Sequence, residues 1–176
     1  MLAARLTSIL PCLDGEEAVE VSALHSLAGM DLSGGLLIEP PYADPHHSSS
    51  PASIIGGGVR LVRPGSISLA HRGVLFLDEA PEFGARILDA LRTPLESGWI
   101  TIGRAAVQVR YPARFQLVLA ANPCPCGFHG VTGRECRCSP TAVRRYQERL
   151  SGPIMDRIDI RHHMLPQHRS FLGGEI

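Results

Sequence analysis

The sequence predicts an α/β domain built on a parallel sheet, and three observations carry that expectation. Gly73-Val-Leu-Phe-Leu77 is a short apolar run that ends on two adjacent acids, Asp78 and Glu79. Phe115 to Ala121 (FQLVLAA) is a second such run, with Asn122 directly at its end. Between them, Phe83 to Leu95 has apolar residues at 83, 87, 88, 91 and 95, the spacing of one helix face. Short apolar runs bounded by polar residues fit strands buried on both faces, as in parallel sheets. Polar residues at their carboxyl ends fall on the rim where open α/β sheets bind ligands.

Length and composition set the frame. A chain of 176 residues can bury the core of one domain, and 44% hydrophobic with 19% charged residues is ordinary for a soluble one. The formal net charge is zero, which argues against a small basic DNA-binding module but leaves room for DNA contacts through a few local arginines. No apolar run reaches the length of a membrane span, and the first ten residues lack the layout of a signal peptide, so a cytoplasmic protein with no membrane partner is expected. All 17 basic residues are arginine. A phosphate-binding loop of the G-x-x-x-x-G-K-[ST] type needs its lysine on the β- and γ-phosphates, so none lies within this sequence.

In chain order, Met1 to Leu10 has helical spacing and is stopped by Pro11. Cys12 stands alone and is expected to be a small buried hydrophobe. Glu16 to Ala28 reads as a helix, with acids in its first turn and Gly29 just past its end. From Gly34 to Gly58 the composition turns to Gly, Pro, Ser and His. Gly35 to Ile38 is a candidate strand, and prolines at 40, 41, 45 and 51 break any long element. His46-His47 has no carboxylate or cysteine at ligand spacing and is expected to be structural or at the surface. Gly56-Gly-Gly58, with Arg60 and Arg63 near it, fits either a close approach to phosphates or a flexible turn.

The strand ending at Asp78-Glu79 has the shape of a Walker B motif. Its aspartate would hold Mg²⁺ through water, and its glutamate would orient or deprotonate an attacking water; two solvated acids are the alternative. Trp99 to Tyr111 alternates around Gly103 as a hairpin does, with Arg104 at its tip as a candidate nucleic-acid contact or a plain solvated residue. The runs at 73–77 and 115–121 are expected to deliver Asp78, Glu79 and Asn122 to one rim. Cys124-Pro-Cys126 and Cys136-Arg-Cys138 place four thiols on one loop, 124–138, which suits a tetrahedral Zn²⁺ site better than disulfides in a reducing compartment; free thiols remain the alternative. His129 is a substitute ligand. Thr141 to Leu150 reads as a helix whose Arg144, Arg145 and Arg149 form a solvated face. Ile158 to Met164 alternates like a last strand, preceded by Arg157, either a surface charge or a residue that reaches a neighbouring subunit's phosphate site.

These motifs, with Pro45-His-His47, Arg63-Pro-Gly65, Pro81-Glu-Phe83, Leu91-Arg-Thr-Pro-Leu-Glu96 and Ser151-Gly-Pro-Ile-Met-Asp-Arg-Ile-Asp159, resemble the Mg-chelatase-like AAA+ ATPases over nearly the whole chain, most closely the competence-related ComM/YifB branch. The resemblance implies a P-loop NTPase core, residues 1–176 being a partial AAA+ domain with a β-hairpin insert. It also implies ATP and Mg²⁺ as cofactors, a homo-hexameric ring, and DNA remodelling of the branch-migration or helicase type linked to natural transformation. Carried over by motif, Asp78 binds Mg²⁺, Glu79 activates water, Asn122 senses the γ-phosphate and Arg157 is an arginine finger acting on the adjacent subunit. The Cys-Pro-Cys-Gly run is not normally found in true magnesium chelatase subunits.

Set against the family pattern, the central strand, the Walker A loop and the C-terminal lid are missing. An incomplete sheet with unpaired strand edges is therefore expected, and a polypeptide of these residues is expected to be marginally stable and inactive alone. The competing expectations are a catalytically dead remnant and a zinc-containing module that binds DNA or protein.

Overall fold

The computed structural model describes residues 3–58, 61–104, 107–150 and 152–164. Three short parallel strands form its sheet: β1 (Tyr42–Ala43), β4 (Val74–Leu77) and β7 (Gln116–Leu119), in the order β1-β4-β7. β4 pairs with β7 in the register Val74↔Gln116 to Leu77↔Leu119, and with β1 through Tyr42↔Val74 and Ala43↔Leu75. Of its four side chains, Val74, Leu75 and Leu77 are buried, as a strand in the middle of a sheet requires.

Before the sheet lies α1 (Gly15–Ala28). Asp14 caps it by accepting the Glu17 N–H at 2.9 Å, and Glu17 reaches back to the Asp14 N–H at 3.2 Å, a reciprocal capping box. Gly29 ends it in the left-handed region at φ 99°. Arg72 ties this helix to the start of β4 through Glu17 and Glu20. α2 (Pro51–Ile55) leads into a small antiparallel pair, β2 (Gly56–Gly57) with β3 (Arg63–Pro64), and α3 (Ser66–Leu69) follows. The triple glycine is thus used for packing: a Cβ on Gly56 would lie 2.4 Å from the Ile102 side chain and 2.8 Å from the Arg63 carbonyl.

After β4 come α4 (Ala85–Ala90) and α5 (Arg92–Ser97), then the hairpin of β5 (Trp99–Arg104) and β6 (Val107–Pro112). α6 (Pro140–Glu148) and α7 (Gly152–Met155) close the described chain. One core joins these pieces. Leu75 and Leu77 from the sheet, Phe83, Ile87, Leu88 and Leu91 from the helical region, Ile100 and Ile102 from the hairpin, and Ile154 from α7 pack together. No described helix is long and apolar enough to cross a membrane.

Several expectations are corrected. Residues 3–10 form two 3₁₀ turns (Ala3–Arg5 and Thr7–Ile9) with no fully buried residue, so little apolar packing supports a regular helix there. Cys12 is exposed, not buried. The first strand lies at 42–43 instead of 35–38. The helix over 83–95 is two helices, since Pro94 has no N–H to donate to Ala90. Residues 158–164 form no strand: Ile160 is 85% exposed and has no neighbouring strand.

Candidate functional site

Direct pairing of β4 with β7 brings the ends of both apolar runs to one edge of the sheet. The Ala120 N–H donates to Leu77 O at 3.0 Å, and the Ala80 N–H donates to Ala120 O at 2.8 Å, locking the two chain exits together. Asp78 and Asn122 are exposed there and Glu79 is half-buried. Glu79 takes a left-handed backbone, φ 51°, and its N–H donates to Asp78 Oδ1 at 2.9 Å. A non-glycine residue in that region is uncommon, and such conformations cluster at functional sites. Asp78 accepts this bond through one oxygen while the residue stays exposed, which fits a carboxylate that holds Mg²⁺ through water.

His47 was not expected here. Its Nδ1 lies 3.2 Å from Glu79 Oε2, and its ring meets the edge of Phe83. The contact sets His47 directly beside the glutamate at this rim. Thirty-two positions separate the pair in the chain, and no local pattern signals it.

Arg157 does not reach this rim. Its guanidinium pairs with Glu96 at the end of α5 and with the Pro153 carbonyl. Arg149 is no simple solvated residue: it donates to Pro81 O at 3.2 Å and to Glu82 Oε2 at 2.8 Å, tying the end of α6 to the turn after Glu79. Arg144 and Arg145 are exposed. Arg104 ends β5 beside the hairpin turn, and its side chain lies outside the described part of the structure.

The four loop cysteines converge. Sγ separations are 3.4 Å for Cys124–Cys126, 3.7 Å for Cys124–Cys136 and 3.6 Å for Cys126–Cys136, and all four sulfurs lie within 4.8 Å of one another. These distances are far above a disulfide bond of about 2.05 Å. His129 is not among the converging side chains; its backbone N–H donates to Cys124 Sγ at 3.3 Å. The Phe128 N–H, with the Arg137 N–H behind it, holds the Cys126 thiol down to about 6.

A cleft of about 630 Å³ opens at the other end of the sheet, between Leu13, Arg72, Gly73, Leu95, Phe115 and Gln116. It faces the amino ends of β4 and β7, the wrong end for ligands in an open α/β sheet.

The sequence profile of the family described as "Magnesium chelatase, subunit ChlI" matches residues 1–171. The chain belongs to that family. Within the magnesium chelatase ChlI family it falls in the ComM/YifB branch. It is 54% identical over 176 residues to the uncharacterized protein Rv2897c of Mycobacterium tuberculosis (99% of this chain, 34% of that protein). It is 50% identical over 169 residues to the competence protein ComM of Haemophilus influenzae (95% and 33%). With YifB of Salmonella typhimurium it shares 50% over 160 residues (91% and 31%). The chain thus spans about a third of the length of these relatives.

Proposed function

We propose that this chain carries one half of the ATP site of an AAA+ ATPase that couples hydrolysis to DNA remodelling in the cytoplasm. The observation that supports this best is the β4–β7 pairing, which puts a carboxylate pair and an amide at one sheet rim in a member of this family. In this reading Asp78 binds Mg²⁺ through water and Asn122 contacts the γ-phosphate. Mg²⁺, when bound with ATP, neutralises phosphate charge. Glu79 orients the attacking water and takes its proton, with His47 fixing the carboxylate beforehand. Arg157, turned away from its own rim, serves an adjacent subunit of a homo-hexamer. Arg104 at the hairpin tip contacts DNA, and the name of the Haemophilus relative, competence protein ComM, agrees with a DNA substrate.

The test is ATP hydrolysis by the full-length gene product carrying Glu79→Gln. Loss of the general base is expected to lower kcat by about 10²- to 10⁴-fold at unchanged nucleotide affinity. Hydrolysis at the wild-type rate would reject the assignment.

A second reading has its own support in the convergence of four sulfurs: the loop 124–138 holds Zn²⁺ through Cys124, Cys126, Cys136 and Cys138. A non-catalytic DNA- or protein-binding module built on that loop and the hairpin would bind DNA without nucleotide and without turnover. ATP-dependent action on DNA by the wild type excludes it.

A further inference from the structure

We infer that a metal ion held by the four cysteines acts as a clamp that fixes Asn122 and α6, and through them the nucleotide rim. This rests on the zinc reading of the 124–138 loop and adds to it what the metal is for. A tetrahedral Zn²⁺ with Zn–S bonds of about 2.3 Å needs sulfurs about 3.8 Å apart. Three of the pairs, at 3.4, 3.6 and 3.7 Å, need only a slight expansion to reach it, and every pair lies within 4.8 Å. Coordination displaces the thiol protons to solvent, and no oxidant or reductant takes part.

The loop needs such a fastening. No helix or strand lies between Leu119 and Pro140, and the apolar Phe128 and Val131 are only half-buried. A segment of that length without its own secondary structure is uncommon in a compact domain. The first thiol, Cys124, is fully buried and lies two positions after Asn122. The last, Cys138, directly precedes Ser139, whose Oγ caps α6 by accepting the Ala142 N–H at 3.2 Å.

α6 then runs back to the start of the loop. Tyr146 buries one face of the helix, and the next residue returns to the loop: Gln147 Nε2 donates to Pro123 O at 3.1 Å, one position after Asn122. A closed circuit results: Pro123, Cys124, metal, Cys138, the Ser139 cap, Gln147 and back to Pro123, the residue next to Asn122. Arg149, one position past α6, carries it to Pro81 and Glu82 beside the acids. Removing the metal opens the circuit at its one non-peptide link of coordinate bonds.

The experiment compares zinc-loaded and chelator-stripped full chain by metal analysis and amide hydrogen exchange. About one zinc per chain is expected. Stripping should speed exchange at residues 120–124 and 140–148 by about tenfold or more, reversibly on adding Zn²⁺, while the 99–112 hairpin keeps its protection. A Cys136→Ser, Cys138→Ser variant should purify without zinc. Equal zinc in variant and wild type, or none in the wild type, would overturn the metal site itself. Zinc whose removal leaves 120–124 and 140–148 unchanged, or loosens the hairpin equally, would overturn the clamp while the metal site stands.

Discussion

His71 shows how one side chain sets a pH dependence. It is 2% exposed at the start of β4; its Nδ1 accepts the Arg114 N–H at 3.0 Å, so Nε2 bears the proton and donates to Glu20 Oε2 at 3.1 Å. Burial pushes its pKa down and outweighs the pull of Glu20, while Arg72 and Arg114 add to the depression. The folded chain therefore keeps this imidazole neutral where the unfolded chain protonates it. The stability so gained is complete above the unfolded value of about 6.5 and is lost as pH falls from there toward the folded pKa. Glu20, held low chiefly by its hydrogen bond to His71, loses its own contribution at more acid pH, as pH falls through its folded pKa. Urea midpoints between pH 7.5 and 5.5 should fall more steeply for the wild type than for His71→Gln. The difference is bounded by one proton's worth of slope, about 1.4 kcal/mol per pH unit. Parallel curves would mean that His71 is not the neutral donor described.

At the scale of elements, β4 depends on the absence of a side chain at its first position. A Cβ on Gly73 would lie 1.9 Å from Pro41 O, the acceptor of the Val74 N–H that joins β1 to β4. The three nearest atoms are all Pro41 backbone, so no rotamer change relieves the clash. Gly73→Ala should cost about 2 kcal/mol or more, seen as a lower urea midpoint. Gly84→Ala, where nothing lies within 4 Å, should cost far less. The same contrast explains what was legible in advance. The runs ending at Asp78 and Asn122 and the hairpin announce themselves because their apolar pattern extends over several residues and each packs on a neighbour. The 16–28 helix is marked by its ends, acids in the first turn and Gly29 after the last. Tyr42–Ala43 is a strand of two residues between prolines and loop, defined only by the partner it finds in Val74 and Leu75. Residues 3–10 and 158–164 have the periodicity of elements, but none of their side chains is fully buried. His47–Glu79 and Arg149–Glu82 are long-range pairs of common residues, visible only once the sheet brings them together.

The whole molecule has an open side. β4 is flanked on both edges, but among the described residues no strand lies beyond β7, whose side chains are half-buried or exposed. Asn122 sits at the end of that uncovered strand. The charges at the rim also disfavour a nucleotide by themselves: Asp78, Glu79 and Glu82 repel phosphates, and Arg149 is already paired with Glu82. Mg²⁺ offsets part of this. The lysine that holds β- and γ-phosphates in P-loop sites is not supplied by these 176 residues, which contain none. The proposed ATP site is therefore completed by chain or subunit beyond them, in keeping with relatives about three times as long. A polypeptide of the 176 residues alone should bind Mg-ATP no more tightly than about 1 mM by calorimetry, whereas micromolar affinity is expected of a full-length gene product. Micromolar affinity in the folded, monodisperse 176-residue polypeptide would show that the rim finds its phosphate contacts among its own arginines, and the half-site reading would have to be abandoned.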